Sequence, residues 1–138
     1  MRVAFKPLPS IIGPPIYYPL LRVSLSKRHG PKSRPFEAMV DSGSADCIFH
    51  SSVASAIGIK LESGRKEIRT GIGGPQDVWI HPIQLWFSAN MLSIEGAFTK
   101  ELPFAGLLGR SGFFEHYRIT FDPSAVPSEM ELERIHRA

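Results

Sequence analysis

The stretch that decides the fold runs from Ala38 to His50 and reads AMVDSGSADCIFH. An apolar run delivers Asp41 straight into Ser42-Gly43-Ser44, and the chain then returns at once to apolar Cys47-Ile48-Phe49. Asp, Ser and Gly are turn formers, so the plain reading is a solvated turn at a strand end. The flanks argue for more. With hydrocarbon on both sides the turn is expected inside the fold, where a carboxylate must find donors, a neighbouring charge or a proton. The Ser42 and Ser44 hydroxyls and the backbone amides freed by Gly43 are candidate donors.

Outward from this turn, prolines and glycines (12 of each) break the chain often enough to leave little room for long helices. Short β-like runs lie between them. IYYPLLRVSLS (16–26) and PFEAMVD (35–41) read as hairpin partners around a basic turn. KEIRT (66–70) and VWIHPIQLWFS (78–88) read as a second hairpin around GIGGPQD (71–77). LSIEGAFTKE, PFAGLLG and YRITFD continue the strand pattern. A helix is expected over Ser51–Ile57, stopped by Gly58, and another short one near Ser111. The tail from Ser124 holds good helix formers after Pro127 and is expected to be polar and helical or frayed.

A chain of 138 residues suits one domain. Its divisions are expected at 1–15, a Pro-rich N-terminal extension, 16–124, the folded domain, and 125–138, a polar C-terminal segment. No apolar run approaches the ~20 residues that span a bilayer, and early prolines break any signal-peptide core. With Cys47 as the sole cysteine, these features lead to the expectation of a cytoplasmic protein without a membrane partner. The net charge of +3 is mild. Its densest cluster, Arg22, Lys27, Arg28, Lys32 and Arg34, has neither interleaved aromatics nor a recognition helix. A solvated loop is the reading there, and no nucleic-acid partner is expected.

Two further segments bear on chemistry. AGLLGRSGFF (105–114) places two leucines between glycines, which fits a buried strand running into a short helix with close backbone approach at Gly109. The glycines of 71–74 lack the strand-loop-helix context of a phosphate cradle, so they read as a mobile hairpin tip. Cys47 and His50 read as a buried small residue and a partly exposed ring, not as a thiol-imidazole pair. The histidines show no metal-ligand spacing, GRSGF is not a full nucleophile elbow, and Trp79, Trp86 and Phe87 read as core or dimer contacts. No metal or other cofactor is expected.

In order, MVDSGSA, GIGG and LLGR resemble the three signatures of retroviral-type (retropepsin-like) aspartic proteases and their cellular and bacterial relatives. The resemblance covers roughly Tyr17 to Pro123. It implies an all-β fold, a closed β-barrel equivalent to half of an acid protease, with a flap hairpin and one or two short helices. It further implies peptide hydrolysis by a water held between two aspartates. This chain has a single Asp-Ser-Gly, so the resemblance implies a symmetric homodimer sharing two copies of Asp41. Ser42 and Gly43 would complete the catalytic turn, with Leu107, Leu108, Gly109 and Arg110 packed beside it. Gly71, Ile72, Gly73 and Gly74 would form the flap over a peptide or protein substrate, and Ile72 and Val78 would line the cleft. Viral members carry Asp where this chain has Ala45, paired with the Arg retained here as Arg110. Asp46 is the candidate substitute. The chain ends also lack the look of the interleaved viral termini. A dimeric peptide-binding domain that cleaves nothing is the rival reading, and a nucleic-acid-associated β domain resting on the basic loop is a weaker one.

Overall fold

In the computed structural model, which describes residues 1–8, 10–71 and 73–136, strands dominate. In chain order they are β1 (Arg2–Ala4), β2 (Lys6–Leu8), β3 (Ile16–Tyr18), β4 (Leu20–Ser26), β5 (Phe36–Val40) and β6 (Ile48–His50). Helix α1 (Ser51–Ala56) and a 3-10 turn at Leu61–Ser63 lead into β7 (Arg65–Gly71), β8 (Gly74–Phe87) and β9 (Asn90–Thr99). Then come β10 (Gly106–Leu108), an irregular helical turn at Arg110–Phe114, β11 (Tyr117–Asp122) and β12 (Glu129–Arg134). No helix among the described residues is long and apolar enough to cross a membrane.

Six strands close a ring in the order β4-β5-β10-β6-β9-β8, and β8 returns to β4. The closure depends on the length of β8. Its residues 84–86 pair with β4 on one side and with β9 on the other, while its first half reaches beyond the ring to pair with β7. Closing the sheet leaves β7 as its free margin, which removes exposed edges from the ring itself. The all-β barrel and both sequence-expected hairpins, β4–β5 and β7–β8, are therefore present.

The interior is filled by alternate side chains of these strands. Leu25, Leu85, Phe49, Phe98, Leu108 and Phe113 are all fully buried. Each such side chain contributes about 1.5–3 kcal/mol by leaving water. Phe113 and Tyr117 stack at 5.3 Å between ring centres, and Phe87 meets both, so the turn after β10 and the start of β11 are fastened to β8. Helix α1 packs against β6 and β9 with Val53 and Ala54 buried. Its first turn is capped by His50, whose Nδ1 accepts from the Ser52 amide at 3.0 Å, and Gly58 follows it at φ +77°.

The chain ends depart from the sequence expectation. Residues 129–134 form a strand, not a helix, and β12 runs between β1 and β11 in a separate three-stranded sheet. Glu-Met-Glu-Leu-Glu-Arg has good helix propensity, but its apolar residues alternate. Met130 and Leu132 are buried at 1% and 4% exposure while the glutamates point away, and tertiary burial of that period-two face outweighs propensity. The segment expected as an extension is equally built in: β1 belongs to this sheet and β2 pairs with β3.

Candidate active site

The parallel pair β5–β10 positions the site. Met39 and Val40 lie beside Leu107 and Leu108, so both strands end at the same level and release Asp41 and Gly109 side by side. The Asp41 amide donates to the Leu108 carbonyl at 3.0 Å. Beyond that point the two loops interlock. Arg110 N donates to Ser44 O at 2.9 Å, Ser111 N to Ala45 O at 2.8 Å, and the Arg110 guanidinium to Ser42 O at 2.8 Å. Gly109 is obligatory there, because a Cβ would fall 2.6 Å from the Ser44 carbonyl oxygen and closer still to that of Asp46. The turn itself is an Asx turn, in which Asp41 Oδ1 accepts from the Gly43 amide at 2.9 Å.

Asp41 is half-buried and Ser42 and Gly43 are exposed, so the turn faces outward rather than lying inside the chain as expected. The apolar flanks bury against the barrel, and the turn crowns its rim. Among the described residues no cation pairs with Asp41, and the only donor to its carboxylate is the Gly43 amide. A carboxylate so held is oriented by its own backbone and open on the other side. It is suited to meeting a group supplied from outside the chain.

Leu108 and Gly109 are buried beside the turn, and Leu107 is half-buried. The expected flap is the β7–β8 hairpin. Gly71 pairs with Gly74, which leaves a two-residue tip, and Gly73 and Gly74 adopt φ of +104° and +100° that other residues avoid. Ile72 lies outside the described residues. Val78 is not a cleft wall: it is fully buried against Ile80, Ala97 and Ile48 beneath the hairpin, because its face of β8 turns toward β6 and β9.

The expected Asp46–Arg110 pair is absent. Arg110 is committed to the Ser42 carbonyl, and Asp46 Oδ2 instead receives Arg69 Nε at 2.5 Å. Arg69 also donates to Glu67, whose other oxygen receives Arg65. These bonds hold the Glu67 carboxyl below the usual carboxylate range and push Arg69 up, through Asp46 first and Glu67 second. Strand β7 of the glycine-tipped hairpin is thereby tied to the loop that follows the Asp-Ser-Gly turn. Sequence reasoning missed Arg69; its only trace is the charge alternation Arg65-Glu67-Arg69 on one face of β7.

Cys47 is fully buried, and desolvation pushes its thiol up to about 12, which leaves no thiolate for nucleophilic chemistry near neutrality. Among the described residues no cluster of three or more His, Cys, Asp or Glu side chains is placed to hold a metal. Trp86 donates to Ser26 and carries Lys32 over its ring at 4.0 Å, so part of the basic loop folds back on the barrel.

This combination is an Asp-Ser-Gly turn at the barrel rim, braced by a Leu-Leu-Gly strand, with a glycine-tipped hairpin tied through Arg69 to the loop that follows the turn. It matches the acid-protease half that the sequence resembles. A family model described as aspartyl protease matches residues 28–111, which carry all three signatures, and the chain belongs to that family. Among solved structures it is similar to the EIAV protease complexed with the inhibitor HBY-793, at 17% identity and a TM-score of 0.53. That match covers 67% of this chain and 82% of the viral one, and establishes the retropepsin-like fold. A comparison with curated protein sequences gives no match. Fold and family together support a protease-type function.

Proposed function

We propose that the protein is an aspartic endopeptidase in which two copies of Asp41, one from each chain of a symmetric homodimer, share a proton and activate a water. The observation that carries this reading is the outward, backbone-anchored Asp41 carboxylate, which no cation among the described residues pairs with. Two such carboxylates in contact do not both ionise, so the pair keeps one proton and titrates as a unit. The ionised member takes a proton from water as it attacks the peptide carbonyl. The protonated member hydrogen-bonds the carbonyl oxygen and returns a proton to the leaving amine. Ser42 and Gly43 hold the turn, the β7–β8 hairpin closes over the peptide to exclude water, and cleavage is favoured on the acid side of neutrality.

The test is cleavage of a peptide library by wild type and by Asp41→Asn, a near-isosteric change at a half-exposed position. Loss of cleavage with an unchanged melting temperature is expected, as is inhibition of wild type by a hydroxyl-bearing transition-state mimic. Equal cleavage by the variant refutes the assignment. A folded dimer that binds peptides but cleaves none would establish the binding-domain alternative instead.

A further inference from the structure

Both edges of β12 are occupied within its own chain, by β1 on one side and β11 on the other. β12 is therefore the middle strand of its sheet, and a partner chain could extend that sheet only outside β1 or β11. The main chain of Met1 adds a reciprocal pair of hydrogen bonds to Leu132, which seals the register. On the shared-dyad reading, the surface by which two copies join has to include the Asp41 turn.

Beside Asp41 and Ser42 lies a mostly apolar groove of about 470 Å³, lined by Phe5, Pro19, Val40, Phe121 and Pro123. Phe5 and Phe121 meet edge-to-face at 5.9 Å, and Phe121 remains 41% exposed. From the rim of this groove springs an arm. The β2–β3 ribbon pairs with neither of the larger sheets, and the segment joining its strands carries Ile11 and Ile12 at 103% and 89% exposure. Its second strand adds Ile16 and Tyr17, at 53% and 50%. A lone two-stranded ribbon is marginal in water, and a run of large exposed apolar side chains marks a contact surface. β3 continues through Pro19, which lines the groove and whose carbonyl accepts from the Val40 amide at 2.9 Å. Arm and groove thus adjoin the same residue, Asp41, that a shared dyad places on the two-fold axis. A two-fold axis beside Asp41 brings the arm and groove of one copy up to the arm and groove of the other.

We propose that the partner on this surface is a second copy of the chain, with the arm carrying Ile11, Ile12, Ile16 and Tyr17 of each protomer seated in the groove of its partner. The inference rests on reading Asp41 as half of a shared dyad. That reading also selects the occupant, because any other protein in a groove bordered by Asp41 would keep the second carboxylate away.

The test uses two variants of the full chain at opposite halves of the contact. Ile11→Asp/Ile12→Asp charges the arm at exposed positions, and Phe121→Lys charges the groove. Where Phe121→Lys lowers the melting temperature, Pro123→Lys in the exposed turn replaces it. Each variant alone is expected to sediment as a folded monomer, with self-association weakened about 100-fold or more by the uncompensated charge, and to lose cleavage. Mixed together, they are expected to regain dimer and activity, since the Asp arm then meets the Lys groove while the other arm and groove are both native. A wild-type dimer that survives Ile11→Asp/Ile12→Asp overturns the arm. Two monomeric variants that fail to complement show that arm and groove do not meet. A raised KM with an intact dimer in Phe121→Lys assigns the groove to substrate. Each of these results leaves the dyad standing if Asp41→Asn is inactive, whereas a wild-type chain that stays monomeric overturns both.

Discussion

Replacing Gly109 by Ala isolates the brace behind the Asp41 turn. Gly109 has φ −105° and ψ −169°, extended backbone that alanine adopts freely, so the perturbation is purely steric. The added Cβ would lie 2.6 Å from the Ser44 carbonyl oxygen and nearer to that of Asp46, whereas real contacts at Cβ stay above 3.0 Å. Backbone cannot swing aside as a side chain can. The loop over 44–46 must retreat by about 0.5–1 Å, with overpacking that costs about 1–3 kcal/mol. That movement weakens the hydrogen bonds from Arg110 N and Ser111 N, each worth about 1 kcal/mol net. The sum is about 2–4 kcal/mol, or a fall in melting temperature of roughly 6–16 °C for a domain of this size. Because the same loop carries Asp41, a displacement of this order is expected to reduce cleavage about 100-fold even in the molecules that remain folded. Differential scanning calorimetry and peptide cleavage at a temperature well below the transition measure the two effects separately. Gly71→Ala is the control, since a Cβ there meets nothing within 4 Å and the expected loss of stability is small. A Gly109→Ala protein with wild-type melting and wild-type cleavage would refute the brace.

Arg69→Ala removes the tie between β7 and the loop that follows the Asp41 turn. The pair is partly exposed, at 31% and 21% for its two side chains, so its loss is worth about 0.5–1 kcal/mol and raises the population of detached flap about 2- to 5-fold. Amide hydrogen exchange over β7 reads this, and unchanged protection there would contradict it. Glu67 carries a depressed carboxyl in the same network, so its contribution is present above its unfolded pKa and lost as pH falls through the folded one. Flap exchange, corrected for intrinsic rates, is accordingly expected to rise in the acid range, and less so in Arg69→Ala. Cys47 behaves in the opposite sense. Its folded pKa is raised from 9.0 to about 12, so stability is full below pH 9 and declines as pH rises toward 12, where the unfolded chain sheds a proton that the folded one keeps. Chemical denaturation across pH 8–11 is expected to show that decline in wild type and a flatter profile in Cys47→Ala. The native thiol should react with iodoacetamide at neutral pH only at the rate of unfolding.

The parts of this fold legible in the sequence are those written in local order. The Asp41 turn, the two hairpins, helix α1 with its terminal Gly58 and the glycine flap tip each depend on residues within a few positions of one another. The parts that were not legible depend on pairing across the whole chain. Glu129–Arg134 reads as helix by composition and becomes a strand because residues near Met1 complete its sheet. Asp46 could be assigned a partner only by analogy, and the guanidinium that reaches it comes from Arg69 on a different hairpin. Val78 alternates correctly as a strand residue, yet alternation does not say which face of β8 is inward. The outward placement of Asp41 was hidden for a related reason. Apolar neighbours on both sides bury into the barrel and leave the turn at its rim.

The central claim, that one active site needs Asp41 from two chains, is tested most directly by co-refolding. Wild type is held at constant concentration and refolded with increasing Asp41→Asn chain, and peptide cleavage is measured at each ratio. If the site is shared, random pairing sequesters wild-type chains in inactive mixed dimers. Cleavage should then fall to about half at equal amounts and to about a tenth at ninefold excess. Cleavage that stays constant as Asp41→Asn chain is added would mean that each chain works alone, and would contradict the shared dyad.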